Sequence, residues 1–599
     1  MAPMRSLLCI ITVFILYSFL PPGKKRKFID PANMDLSVRP GDNFYLYADG
    51  KWIKNNPVPA SKTRWGSFDA LRVESLARLR ALLESAAAGA ATDTKLAKIG
   101  DFYISGMDST NLERLGYQPI VADLHRIEAI TNTAGLLQEI AYEHTHAIAQ
   151  PLVGIFISPD RKDVTHYIPE IGQGGISLPD RDYYLKNNAR NTAVRAAYTR
   201  HVKKMFELIG RSDAQAAAAT DAVMRIETAL ASAEMSRVEM RDPYKTYNKF
   251  SWKDLSATTP AIEWKSWAAQ MQVTAGDSLV VSNPSFLKSM DLLLTAVSLD
   301  DWKAYLQWNV LRSSAPFLSD AFVKEDFEFN RVLTGQKVET PRWQRISGLI
   351  DRSLGDQLGQ LYVEKYFTPA AKQRMQELVN NLQETFAARI RRVDWMSDET
   401  KQRAVEKLQA FLKKIGYPDT WKDYSSVTIR KDDLLQNVRN CGIWAYNDNV
   451  TDGNLKDWWT KADADNFKTR ADQVVAQYNG FTVLDTLHVN GRLTLGENLA
   501  DLGGLSIAYE AFTKTKEFKE GKKIDGFTPQ QRFFLSWAQI WRSNTLPETS
   551  AQLILTDPHS PGLYRCNGPL SNIDAWYEAF DVKPGDKMYK APDQRTRIW

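Results

Sequence analysis

The sequence predicts a mainly α-helical protein of two or more domains, on three observations. Between residues 67 and 419 apolar side chains recur at helical spacing with only short interruptions. After residue 421 the pattern changes to shorter segments, turns and aromatic helices. And 599 residues, 44% hydrophobic and 25% charged, can bury more than one core and do not have a disordered composition.

The first 27 residues stand apart. Arg5 precedes an apolar run over residues 7 to 20, then Pro21-Pro22-Gly23 and Lys24-Lys25-Arg26-Lys27. A run of this length is short for a spanning helix and suits the apolar region of an export signal. No Ala-x-Ala-like cleavage site follows, and the downstream cluster is more basic than the leader, so an uncleaved membrane anchor is the second reading. These five basic residues account for the whole formal charge of +5. The remainder carries no basic stripe interleaved with aromatics, which argues against a nucleic-acid footprint. Cys9, Cys441 and Cys566 are the only cysteines, so the body has at most one disulfide and no Cys-x-x-Cys pair.

Taken in order, Phe44, Tyr45, Tyr47 and Trp52 follow a turn at Pro40-Gly41 and read as packing residues. An alanine-rich helix is expected from Asp213 to about Glu239, capped by Ser212 or Asp213. A second core helix starts at Thr368-Pro369, with Met375, Leu378, Leu382, Phe386, Ile390 and Val393 as its apolar stripe. Residues 174 to 185 suit an ordered loop, and residues 415 to 421 a stop and domain boundary. Beyond it, Trp458-Trp459 should begin a helix through Val475, residues 486 to 495 look strand-like, and Phe533, Phe534, Trp537, Ile540 and Trp541 mark an aromatic helix.

Residues 493 to 505, Leu-Thr-Leu-Gly-Glu-Asn-Leu-Ala-Asp-Leu-Gly-Gly-Leu, carry the chemistry. Glu497 and Asp501 fall on one face of a helix whose leucines form a buried stripe, which is how a packed helix presents metal ligands. The same spacing also fits two solvated acids. The flanking Gly496, Gly503 and Gly504 favour close backbone packing or a bend.

Several blocks together resemble the neprilysin family of zinc metallopeptidases, most closely its bacterial oligopeptidase branch. They are residues 44 to 52, Ser177-Leu178-Pro179-Asp180-Arg181-Asp182-Tyr183-Tyr184, residues 415 to 419, Asp457-Trp458-Trp459, residues 496 to 504, residues 557 to 562 and the terminal Trp599. The resemblance implies a mainly α, two-lobed zincin-like metallopeptidase body, with a small sheet in the catalytic lobe and a large helical lid lobe around a cavity. Its segments would be residues 28 to 75 and 420 to 599 for the catalytic lobe and 76 to 419 for the lid. It implies one zinc ion held by two histidines of a His-Glu-x-x-His helix and by Glu497. Asp501 would orient a ligand histidine, His559 would stabilise the oxyanion, and Arg565 would grip the substrate backbone. Peptides would be the partners, and an extracytoplasmic location would follow from the leader.

The sequence departs from that family in one place. It contains no His-Glu-x-x-His: the histidines are His125, His144, His146, His166, His201, His488 and His559, and no two are four apart. The match runs through residues 434 to 438 and resumes at Asp452-Gly453-Asn454-Leu455, with residues 439 to 451 expected to form only a linker. The absent segment carries the zinc helix, its glutamate and the Asn-Ala-Tyr-Tyr substrate strand in the family; Ala445-Tyr446 is a weak match to that strand. Loss of a central helix uncovers apolar side chains worth about 1.5 to 3 kcal/mol each. His488 reads as an edge residue, and His144 and His146 would point to different faces of a helix in the other lobe. For His559 a second reading is a polar turn around Pro558 and Pro561 in which the ring caps backbone groups. Three readings follow: a zinc endopeptidase by descent that is catalytically impaired, a peptide-binding pseudopeptidase, and the product of a damaged or misassembled gene.

Overall fold

The computed structural model describes residue 27 and residues 29–89, 94–273, 276–447 and 460–598. Residues 1 to 26, residues 448 to 459 and Trp599 lie outside the described residues, and with them the expectations placed on residues 7 to 20, Asp452-Gly453-Asn454-Leu455 and Asp457-Trp458-Trp459. The protein is mainly α-helical and two-lobed. In chain order, the elements used below are α1 (Phe44–Asn55), β1 (Arg64–Gly66), α2 (Val121–Glu128), α3 (Thr133–Thr145), β2 (Val153–Asp160), β3 (Asp163–Gln173), α4 (Asp213–Ala233), β4 (Asn248–Ser251) and β5 (Ser278–Val281). There follow α5 (Pro369–Arg392), α6 (Asp398–Gln409), α7 (Leu434–Asn447), α8 (Lys461–Asn479), β6 (Thr482–Leu484), β7 (Leu487–His488), α9 (Leu495–Thr513), α10 (Pro529–Trp541), β8 (Ser543–Thr545) and α11 (Gly562–Leu570).

Local sequence chemistry sets many of these boundaries. Ser212 caps α4 through a box with Gln215, and Thr368 caps α5 with Pro369 in its first turn. Helix α4 stops at Ala233, short of Glu239, because Glu234 is extended and Ser236 opens a second capping box with Glu239 for a separate short helix. Three further expectations are corrected. Residues 439 to 447 continue α7 and are no linker, and Ala445-Tyr446 is helical, with Tyr446 donating to the Met271 carbonyl at 2.7 Å. Residues 486 to 495 are mostly turn, with only Leu487–His488 paired to β6. Helix α5 is a core helix only in its C-terminal half: Ile390 is buried with Val405 and Leu408, whereas Met375 and Leu378 are 45% and 49% exposed.

The large helical body encloses Trp302, Tyr305, Trp308, Tyr198 and Phe206 in one core. A four-stranded sheet in the order β2-β3-β5-β4 is set into it, with the β2–β3 hairpin antiparallel and β3 parallel to β5. In the loop of residues 177 to 184, the Tyr184 hydroxyl accepts from the backbone N–H groups of Ser177 and Leu178 and donates to Glu227 at 2.7 Å. Ser177 and Tyr198 donate to the same buried carboxyl at 2.6 and 2.7 Å.

A separate core forms in the C-terminal region, and the N-terminal segment enters it. Phe44 meets Trp576 and Phe580 edge-on at 5.7 and 4.6 Å, and Tyr45 exchanges hydrogen bonds with the backbone of Ser543. Two-stranded pairs β1–β8 and β6–β7 flank this core. Cys441 and Cys566 are both buried and free, so among the described residues there is no disulfide.

Asp463 ties the start of α6 to the start of α8. It accepts from the backbone and hydroxyl of Ser397 at 2.8 and 2.6 Å and from Thr400 and Thr460 at 2.6 Å each. Burial works against its charge, but these donors hold the carboxyl well below the usual carboxylate range. Its contribution is therefore present above the ordinary aspartate value and is lost as pH falls through the lowered one. Asp463→Ala should cost about 3 kcal/mol and flatten the acid side of a melting-temperature profile, measured by thermal denaturation across pH. Tyr184→Phe should cost about 1 to 3 kcal/mol in the same assay, by stranding two backbone donors and an acceptor in the helical body.

Candidate functional site

Helix α9 presents Glu497 and Asp501 on one side and buries Leu502 and Leu505 in the C-terminal core on the other. It runs unbroken through Gly503 and Gly504, so the glycines produce no helix break; Gly503 is buried and Gly504 faces open space. Its first turn is fixed by a relay in which Asn498 donates to the Thr494 hydroxyl at 2.9 Å and accepts from the Ser560 hydroxyl at 2.8 Å. That relay pins α9 to the turn of residues 557 to 562.

The turn owes its position to one glycine. A Cβ on Gly562 would lie 2.3 Å from the Trp541 carbonyl oxygen, so only glycine lets the start of α11 close against the end of α10. Asp557 accepts from the backbone N–H and from Nδ1 of His559, at 2.9 and 2.7 Å. A carboxylate only accepts, so Nδ1 carries the proton and Nε2 is left facing Glu497, with Oε2 at 3.6 Å. From the first turn of α11, Arg565 reaches back to Asp501 in a two-pronged pair, both bonds 2.7 Å long. Its guanidinium carbon also sits 3.8 Å above the Trp541 ring.

The two pairs have different surroundings. The side chains of Asp501 and Arg565 are 7% and 16% exposed, those of Glu497 and His559 34% and 44%. Burial pushes the Asp501 carboxyl above the ordinary range, against the pull of Arg565. All four residues singled out from the sequence are thus brought together, Arg565 facing Asp501 and His559 facing Glu497. Of the four, His559 and Arg565 border a cleft of about 570 Å³ with an apolar wall of Phe68, Ile540, Trp541 and Leu553. Phe68 and Arg64 reach it because β1 pairs with β8, Arg64 opposite Thr545 and Gly66 opposite Ser543. Sequence reasoning missed both, and no local signal marks them, since their partners lie in a distant part of the chain.

A catalytic zinc centre takes three protein ligands and leaves one position open. Among the described residues no group of three His, Cys, Asp or Glu side chains is placed to hold a metal ion. All seven histidines are described. His125, His144, His146, His166 and His201 belong to the helical body; His144 is bound to the Pro151 carbonyl, His146 to that of Tyr142, and His201 to Glu325. His488 lies exposed in β7, within hydrogen-bonding reach of Thr482. Asp501 has no histidine to orient and is engaged by Arg565. The described residues do not fit a catalytic zinc.

Two family models, both described as peptidase family M13, match residues 40–418 and 445–596. Endothelin-converting enzyme 1 of Mus musculus is 28% identical, across 95% of this chain and 85% of its own length. The 664 aligned positions exceed this chain's 599 residues, so that relative carries segments absent here. Neprilysin of Homo sapiens is 26% identical across 95% and 90%. Among solved structures, the zinc metalloprotease ZMP1 of Mycobacterium tuberculosis in complex with an inhibitor superimposes with a TM-score of 0.89 at 32% identity, covering 96% of this chain and 99% of that one. PEPO of Lactobacillus rhamnosis HN001 shares the fold, with a TM-score of 0.80 at 22% identity and coverage of 94% and 100%. The chain belongs to peptidase family M13, the neprilysin family.

Proposed function

We propose that this chain is a zinc metalloendopeptidase by descent that binds short peptides and, in its present form, does not hydrolyse them. One observation carries the reading: where the family's chemistry needs histidine ligands beside Glu497 and Asp501, the described residues offer only His559 and Arg565, and the sequence has no His-Glu-x-x-His. Family membership and the likeness to a zinc metalloprotease support the lineage and peptides as ligands.

The binding half of the reading rests on the cleft. Its apolar wall can receive a side chain, while Arg565 is a donor for main-chain carbonyl oxygens and Nε2 of His559 an acceptor for main-chain N–H groups. A peptide must compete with Asp501 for Arg565, so weak binding is expected. We place the protein outside the cytoplasm on the leader-like residues 7 to 20 alone. Among the described residues no helix is long and apolar enough to cross a membrane.

Incubation of the purified chain with a quenched fluorescent peptide should give no chelator-sensitive cleavage, and metal analysis should find no stoichiometric zinc. Tight zinc at one per chain, with turnover abolished by Glu497→Ala, would overturn this. Calorimetry with peptide libraries should show saturable binding that His559→Ala weakens by about fivefold, near 1 kcal/mol, without unfolding the half-exposed turn. No saturable binding to the folded protein would remove the pseudopeptidase reading. The third reading, a damaged gene, is decided by the DNA around codons 438 to 452, where a recovered His-Glu-x-x-His would restore peptidase activity.

A further inference from the structure

Helix α7 docks on the helical body through a pocket with more carboxyl groups than guanidiniums. Arg439 of α7, 8% exposed, donates to Asp123 Oδ2 of α2 at 2.7 Å. Arg126 of α2 donates to the other Asp123 oxygen at 2.9 Å and to both oxygens of Glu139 on α3, at 3.0 and 3.3 Å. Glu143, one turn further along α3, is completely buried, and neither of its oxygens has a hydrogen-bond partner among the described residues. Two cations thus serve three acids.

Glu143, which has no hydrogen-bonding cation among the described residues, is the acid whose charge is least supported. Burial, then Glu139 and Asp123, push the Glu143 carboxyl well above the ordinary glutamate range, against Arg126 and Arg439. The other titratable neighbours on α3 and at its end do not neutralise it. His144 is bound to the Pro151 carbonyl and burial favours its uncharged form, and His146 is bound to the Tyr142 carbonyl and stacked on that ring.

We propose that this pocket is a proton-dependent latch, by which α7 stays docked while Glu143 keeps its proton and works loose as the proton is lost. Undocking lets water reach Glu143, which then ionises in its ordinary range. Opening therefore releases one proton. Its equilibrium shifts by about tenfold per pH unit, from above the ordinary glutamate value up to the raised one, and opening is favoured as pH rises. The consequence is conformational: the latch controls how firmly the helical body holds α7.

Cysteine labelling tests this in the full chain. Cys441 lies on α7 and is 3% exposed, while Cys566 in the C-terminal core is fully buried and serves as the internal control. The ratio of Cys441 to Cys566 labelling, read by peptide mass spectrometry, should rise by about tenfold per pH unit once pH exceeds the ordinary glutamate range. Glu143→Gln should make the ratio flat. If that variant does not fold, Glu139→Gln removes one of the charges that raise Glu143, and the rise should end at a lower pH. A flat ratio in the unmodified chain, a rise that survives Glu143→Gln, or a Glu139→Gln profile identical to the unmodified one would each overturn the latch.

Discussion

The buried pair between Asp501 and Arg565 is the contact on which the arrangement of the site depends. Two bonds of 2.7 Å join the middle of α9 to the first turn of α11, and Trp541 closes the guanidinium from the third side. Breaking a buried pair by removing one partner costs about 3 to 5 kcal/mol, because the remaining charge is stranded. The pair is therefore a strong constraint on where Glu497, one turn back on α9, and His559, on the turn before α11, can lie.

That constraint gives the half-site its character. Each of the two acids faces a basic side chain from the turn and helix of residues 557 to 570, Arg565 for Asp501 and His559 for Glu497. The inner pair is dry and geometrically fixed, whereas the outer pair, Glu497 and His559, is partly solvated and separated by 3.6 Å. His559 and Arg565 both border the cleft, and His559 is the more exposed of the two. The Gly562 approach to Trp541 and the Asn498–Ser560 bond hold this geometry from behind.

Away from the site, the two bodies differ in how completely their helices are covered. The aromatic core around Trp302, Trp308 and Tyr305 is closed and fully buried. Helix α5 leaves Met375 and Leu378 exposed, and Phe411 and Leu412 after α6 are exposed as well. Such an apolar surface beside a short core of Ile390, Val405 and Leu408 leaves this hairpin thinly packed. Asp463 compensates, since its four donors clamp the start of α6 where apolar burial is thin.

Much was legible in the sequence because its signals are local. The caps at Ser212 and Thr368, the leucine stripe behind Glu497 and Asp501, and the aromatic residues of α1 and α10 all follow from spacing within a turn or two of helix, and the family from several such blocks. Other features were hidden because they depend on partners far along the chain. The β2–β3 hairpin carried only a weak alternation and was overlooked amid helices, and the exposure of Met375 was invisible to a periodicity that assumes something will cover it. Arg64 and Phe68 enter the cleft only through pairing with β8. The sequence alone determined which acids and cations are present and that the histidine pair is missing; the tertiary structure decided that Arg565 meets Asp501 and His559 faces Glu497, because only packing of α11 against α10 and α9 brings unlike charges from separate segments within reach.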